Sequence, residues 1–213
     1  MQIGWIGHSC FRIITEHNNI VTDPYNEETG YKLPSTPADI VTVSHSHFDH
    51  SYAQCVAPGL VISDIQPRTI NGDTIWGIPC WHDDVRGAKR GSNIIYVIDA
   101  DGQRIVHLGD LGHLLNDRDI EKLGKVDVLL LPVGGIYTLC PKTCVELCEK
   151  IKPRIIVPMH YACRCIRFRL GKIDKYLTAA GYDPDEVMTQ KVEWLDPAEY
   201  DKELAIMEQG IGM

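Results

Sequence analysis

A layered α/β domain is the fold class this sequence predicts, and three observations carry it. Short β-branched segments come in two series, helical periodicity gathers in the later part of the chain, and no composition break or internal repeat divides the 213 residues. The first series is Gln2 to Ile6, Phe11 to Thr15, Asn19 to Thr22, Ile40 to Val43 and Leu60 to Ser63. Turn residues at His17-Asn18-Asn19, Asp23-Pro24 and Asn71-Gly72-Asp73 punctuate it. The second series is Thr74 to Ile78, Ile94 to Asp99, Arg104 to Leu108, Val126 to Leu131 and Arg154 to Val157, with Asp99-Ala100-Asp101-Gly102 as a tight hairpin loop. Helices are expected at Asp117 to Leu123, Pro141 to Ile151, Lys172 to Ala180 and Pro197 to Glu208. The one after Pro141 is the clearest: proline stands in its first turn, and Cys144, Leu147, Cys148 and Ile151 form one apolar stripe. One domain over residues 1–213 is the expectation.

Composition narrows the function classes. His8, Arg12 and Glu16 interrupt the mildly apolar start before a signal-peptide core develops, and apolar runs such as Val128 to Leu131 fall far short of a membrane helix. Eight cysteines without a leader read as reduced thiols, which points to the cytoplasm. A formal charge of −8 disfavours nucleic acid and anionic membranes as partners. A small molecule is the expected partner, and an anionic one needs local positive charge; self-association is left open.

The strand Val41-Thr42-Val43 runs into Ser44-His45-Ser46-His47-Phe48-Asp49-His50, which holds three of the nine histidines. His45 and His47 are two apart and in extended backbone point to the same side, so both can reach one ion, while Asp49 and His50 in the following turn can face a second. Imidazole and carboxylate donors suit zinc or a similar first-row metal. Four donors within six residues serve no evident packing purpose.

The string resembles the signature of the metallo-β-lactamase superfamily of hydrolases. IPCWHDD, HLGDLGH and IVPMHY supply His82, Asp110 and His160, each at or beyond the end of an apolar strand. GWIGHSCF and LPVGGIYT further resemble the small metal-dependent hydrolases that include phosphorylated sugar-lactone hydrolases. The resemblance implies a four-layer αββα sandwich with a dinuclear site at one edge. It implies His45, His47 and His82 on the first ion, Asp49, His50 and His160 on the second, and Asp110 bridging them. Two divalent ions against two aspartates and a bridging hydroxide leave a centre of about +1, able to attack an ester-type bond at neutral pH. Zinc is the expected metal, with manganese and iron as alternatives.

Other residues compete for roles. His107 lies three residues before Asp110, on the opposite strand face unless Gly109 bends the chain, so His82 is the better ligand. His107 is read as supporting the site or as core, His113 as a rim residue, and His8 as a donor orienting a ligand carboxylate or a structural histidine. Lys89, Arg90, Arg164, Arg167 and Arg169 are the cations expected near the mouth; Arg90 and Arg164 are candidates to hold an anionic group, and Tyr137 to donate a hydrogen bond to substrate. Cys140, Cys144 and Cys148, with Cys163 and Cys165, raise an iron–sulfur or extra zinc site. Yet Cys144 and Cys148 already belong to the apolar stripe, and the spacing matches no common cluster motif. Cys10 and Cys80 are expected to pack beneath the site.

The resulting expectation is a dinuclear hydrolase with a metal-bridging hydroxide, acting on a small anionic ester, lactone or phosphodiester. The alternatives are a nuclease of the ribonuclease Z type and a non-catalytic or redox relative. The redox branch commonly carries an acidic residue where this chain has His47, and a flavin domain that this sequence lacks.

Overall fold

Period-two alternation sorts the first strand series onto two faces of one sheet. In the computed structural model of the chain, which describes residues 1–34, 36–56 and 59–210 and only the backbone of Cys55, this sheet contains β1 (Gln2–Gly7), β2 (Cys10–Ile14), β3 (Asn19–Thr22), β4 (Ile40–Thr42), β5 (Leu60–Ile62) and β12 (Trp194–Leu195), in the order β12-β1-β2-β3-β4-β5. Ile3, Ile13, Ile20 and Ile40 enter the main core, while Ile6, Val21 and Val41 belong to a smaller cluster on the other face.

The second sheet has β6 (Arg68–Ile70), β7 (Asp73–Trp81), β8 (Ser92–Ala100), β9 (Gln103–His107), β10 (Val128–Pro132) and β11 (Ile155–Met159), in the order β11-β10-β9-β8-β7-β6. β9, β10 and β11 are parallel, so crossovers must join them. α1 (Asp117–Leu123) and α2 (Pro141–Ile151) do so. Every residue of β10 and β11 is buried, as expected of strands covered on both faces. Asn116 caps α1, its Oδ1 accepting from Asp119 N at 3.0 Å. α2 buries Cys144, Leu147 and Ile151 of its apolar stripe, and α3 (Asp174–Ala179) packs beside it. A last short helix, α4, spans Pro184–Val187. The outer cluster of the first sheet is covered by loops and by 3-10 turns at Glu27–Thr29 and Ala53–Cys55. The fold is therefore an αββα sandwich with one thin outer layer. No helix among the described residues is long and apolar enough to cross a membrane.

Two expectations fail. The helix predicted at Pro197 to Glu208 does not form: Pro197 to Glu199 make a turn, and the chain beyond runs as a non-helical segment with isolated β-bridges at Leu204 and Met207. Leu204, Ala205, Ile206 and Met207 are all buried, and four consecutive buried positions suit a strand-like segment enclosed on both sides, not one face of a helix. Its backbone bonds Ile156 and Val192 (Ala205 N to Ile156 O, 2.9 Å; Val192 N to Ile206 O, 2.8 Å), and beyond it Gly210 N reaches Trp5 O at 3.1 Å. The C-terminal segment thus ties β11 to β1 across the two sheets. The second failure concerns β4, which stops at Thr42, leaving His45 and His47 in a run of bends rather than extended backbone. Strands β6 and β12 are additions that the sequence pattern did not reveal.

Candidate metal centre

Six chain crossings meet at one edge of the sandwich. They are the β1–β2 turn with His8, the loop after β3 with Asp23, the segment after β4 with His45 to His50, the end of β7 with His82, the turn after β9 with Asp110, and the end of β11 with His160. His45, His47 and His82 place one ring nitrogen each within 4.8 Å of one another, and His8, Asp49, His50 and His160 form a second such group. Asp110 lies between them: its Oδ2 is 3.1 Å from His82 Nε2 and 3.1 Å from His160 Nε2, and its Oδ1 is 3.3 Å from His50 Nε2.

Asp23 explains why the bent loop holds its shape. Its carboxylate accepts from Ser44 N (2.8 Å), Ser44 Oγ (2.5 Å) and His50 Nδ1 (2.8 Å). Because Ser44 donates its proton to Asp23, its oxygen is left to accept from His45 Nδ1 at 2.9 Å. Both imidazoles are thereby fixed with Nδ1 protonated, so His45 Nε2 is left bare and stands 3.1 Å from His47 Nδ1. His8 contributes Nε2 at 3.1 Å from Asp49 Oδ2.

Asp110 is aimed by its neighbours. Gly109 turns the chain at φ +54°, and a Cβ there would lie 2.4 Å from Asn93 Oδ1. That same oxygen accepts from Asp110 N at 3.0 Å, while Asn93 Nδ2 donates to Leu108 O and to the buried Cys80 sulfur. His107 is buried behind the turn. Its Nδ1 accepts from Gly109 N (3.0 Å), so its Nε2–H donates to Ser9 O (2.8 Å). It braces two site-bearing turns and belongs to neither donor group. His160 adopts φ +53°, held by its N–H to His8 O and by Gly134, where a Cβ would lie 2.1 Å from His160 O.

Burial decides the charge of the imidazoles. It lowers His8 to about 4, with the charge of His160 adding to the effect and the bond to Asp49 opposing it. His45 is lowered to about 3 by burial and then by His50, and His47 moves down from burial and from His82. These rings are neutral near pH 7, as ligation requires. Burial also presses on His50, but Asp110 and Asp49 outweigh it and hold its pKa well above the ordinary value. In return, His50 keeps Asp49 ionised below the usual carboxylate range, and His160 and His50 do so for Asp110, each against the cost of burial.

The donor set fits divalent cations. Donor atoms sharing an ion at about 2.0 to 2.2 Å lie roughly 3 to 3.5 Å apart, the spacing found between Asp110 and its histidines. Asp110 Oδ1 and His50 Nε2 face each other at 3.3 Å in a buried site without a well-formed hydrogen bond, and a cation taking both as ligands would satisfy them.

The family profile described as Beta-lactamase superfamily domain matches residues 2–160. The chain belongs to the metallo-β-lactamase superfamily. It is 32% identical over 192 residues to a UPF0173 metal-dependent hydrolase of Thermoplasma volcanium, covering 76% of this chain and 83% of the relative. Among solved structures, a Thermotoga maritima protein assigned to the zinc-dependent hydrolases of the superfamily is 34% identical, with a TM-score of 0.76 over 98% of each chain. Human tRNase Z, short form, matches at a TM-score of 0.58 and 10% identity over 77% of this chain and 93% of its own, which is a likeness of fold alone. This metallo-β-lactamase superfamily chain is thus a metal-dependent hydrolase.

In the superfamily chain the donor groups open into a cavity of about 550 Å³ lined by Phe48, Arg90, Tyr137 and Phe168 together with donor residues. The Arg90 guanidinium lies 5.5 Å from the centre of the Tyr137 ring. Lys89 pairs with Asp84 at 3.0 Å. Arg164, Arg167 and Arg169 are exposed and do not line the cavity. His113 accepts from Trp81 N and faces a neighbouring cleft that includes Cys140. Asp23, Ser44, Asn93, Asp83, Phe48 and Phe168 are the site residues that sequence reasoning missed. Asp23 stood as half of an Asp-Pro turn signal, and only its place at a strand end could have flagged it.

Proposed function

We propose that the edge cluster is a dinuclear centre for hydrolysis of a small anionic ester, lactone or phosphodiester. His45, His47 and His82 would hold the first ion, Asp49, His50 and His160 the second, and Asp110 would bridge. The observation that carries this reading is Asp110 Oδ2 standing 3.1 Å from one histidine of each group. Zinc suits the donors best, with manganese and iron as the other candidates. When bound, such ions make a hydrolytic water available at neutral pH and stabilise negative charge on oxygen.

The chain's own residues supply the rest. Asp23 and Ser44 hold the tautomers of His50 and His45, and His8 holds Asp49. The cavity walls orient the substrate over the donors. Its size suits a small molecule, and Arg90 is its one cation among the described lining residues, too little to track a nucleic-acid backbone. The nuclease reading is therefore set aside.

Elemental analysis of the purified protein tests the proposal. Two metal ions per chain are expected, with D110A losing most of both metal and activity. A D110A protein with full metal content and turnover would sink the assignment.

A further inference from the structure

Phe48 is an anomaly within the metal-binding turn: a large apolar side chain left 45% exposed between two ligand candidates. Its backbone is fixed, because Phe48 O accepts from Asn26 N at 3.2 Å. Its ring stands 6.0 Å from that of Phe168, nearly edge to face, and Phe168 in turn lies 6.4 Å from Tyr137 and 5.5 Å from His8. Three aromatic rings therefore wall the cavity directly beside the donors.

Arg90 completes this wall with a charge. Arg68, Arg104 and Arg154 each lie within 4 Å of an aspartate, yet the Arg90 guanidinium has neither a carboxylate nor a hydrogen-bond acceptor among the described residues. Its guanidinium stands instead over the Tyr137 ring, 5.5 Å from the centroid. Its main chain is anchored: Arg90 N donates to Asp83 at 2.8 Å, and the same carboxylate accepts from Val85, Gly87 and Lys89. A guanidinium carried on an anchored main chain, with free donors and lining the cavity, is suited to receive an oxyanion in a bidentate grip.

From this arrangement we infer that the substrate carries both an oxyanion, held by Arg90, and a flat apolar group, held by Phe48, Phe168 and Tyr137. The labile bond then lies at the histidine–aspartate cluster between the two anchors. The inference rests on the hydrolytic reading above and adds the substrate class: an aromatic or similarly flat compound bearing a phosphate-like or carboxylate group, not a compact polar sugar phosphate.

Calorimetric titration of the zinc-loaded protein with phenylphosphonate, methylphosphonate, phenylacetate and benzyl alcohol tests it. Phenylphosphonate should bind about tenfold or more tightly than methylphosphonate, as burial of a ring predicts. That ratio should collapse toward one in F168A and in F48A. R90Q should weaken the anionic probes by about tenfold or more while leaving benzyl alcohol unaffected, and R90K should recover part of the loss. Whichever of phenylphosphonate and phenylacetate suffers more in R90Q identifies the oxyanion. Equal binding of the phenyl and methyl probes to the wild type, ratios unaltered in both phenylalanine variants, or unaltered anion binding in R90Q would each overturn the inference. Metal content is measured on the same samples. A wild type without metal overturns the hydrolytic reading and this inference with it, whereas a metal-replete protein with unaltered ratios overturns the inference alone.

Discussion

The two sheets hold their histidines by different means. His45 and His50, two of the ligand candidates carried by the first sheet, have their outer nitrogens wired to Ser44 and Asp23. Those carried by the second, His82 and His160, have Nδ1 buried with no hydrogen-bond partner among the described residues. They are placed instead by close backbone approach: a Cβ on Gly112 would lie 2.4 Å from the His82 carbonyl carbon, and one on Gly134 2.1 Å from His160 O. One half of the centre is positioned by a polar network that fixes tautomers. The other half is positioned by packing that fixes backbones, with no hydrogen bond at the outer nitrogens among the described residues.

Removing Asp23 should have the largest effect on this contrast. D23A strands the His50 Nδ1–H and the Ser44 hydroxyl in a fully buried site, and breaking such a buried charged network costs about 3–5 kcal/mol. Metal affinity should fall by about 10 to 100-fold, read by competition with a chelator, and thermal melting should report the stability loss. Unchanged metal affinity in a folded D23A would refute the positioning role. S44A tests the weaker arm of the same network, with an expected cost of about 0.5–1.5 kcal/mol.

G134A attacks the other half. The added methyl must push against the backbone of His160, a strain of about 1–3 kcal/mol. Metal per chain should fall from two toward one as the second set loses His160, while the first set, which draws nothing from that strand, keeps its ion. Equal loss from both sets in G134A would show that the two ion sets are not positioned independently.

This contrast also marks what the sequence could reveal. His45, His47, Asp49, His50, His82, Asp110 and His160 stand out because polar, metal-competent residues end apolar strands, and the structure gathers all seven at one edge. Asp23, Ser44 and Asn93 do not stand out, because a buried hydrogen-bond acceptor looks like a turn residue until the chain is folded around it. The Leu204 to Met207 segment misled for a related reason. Its apolar run was compatible with a helix face, and only the open edge of β11, with Val192 on its other side, makes a strand-like path the better way to satisfy its backbone. Among the cations, the sequence offered Arg90 and Arg164 alike; the cavity takes Arg90, whose loop is folded by Asp83, and Arg164 does not line it.

That Asp83 loop supplies the smallest expected effect, and it extends the comparison to pH. Burial works against the Asp83 charge, but the N–H groups of Arg90, Gly87, Lys89 and Val85 outweigh it and lower its pKa from 3.8 to about 2. A carboxylate depressed in the folded state contributes stability that is fully present above its unfolded pKa, here about 4, and is lost as pH falls through its folded pKa near 2. Other acids titrate in the same range, so the informative quantity is the difference between wild type and D83N. D83N should melt at a lower temperature at pH 7, and the gap should close as pH falls from about 4 to about 2. A gap constant across that window would show that the carboxylate's charge does not organise the loop that presents Arg90.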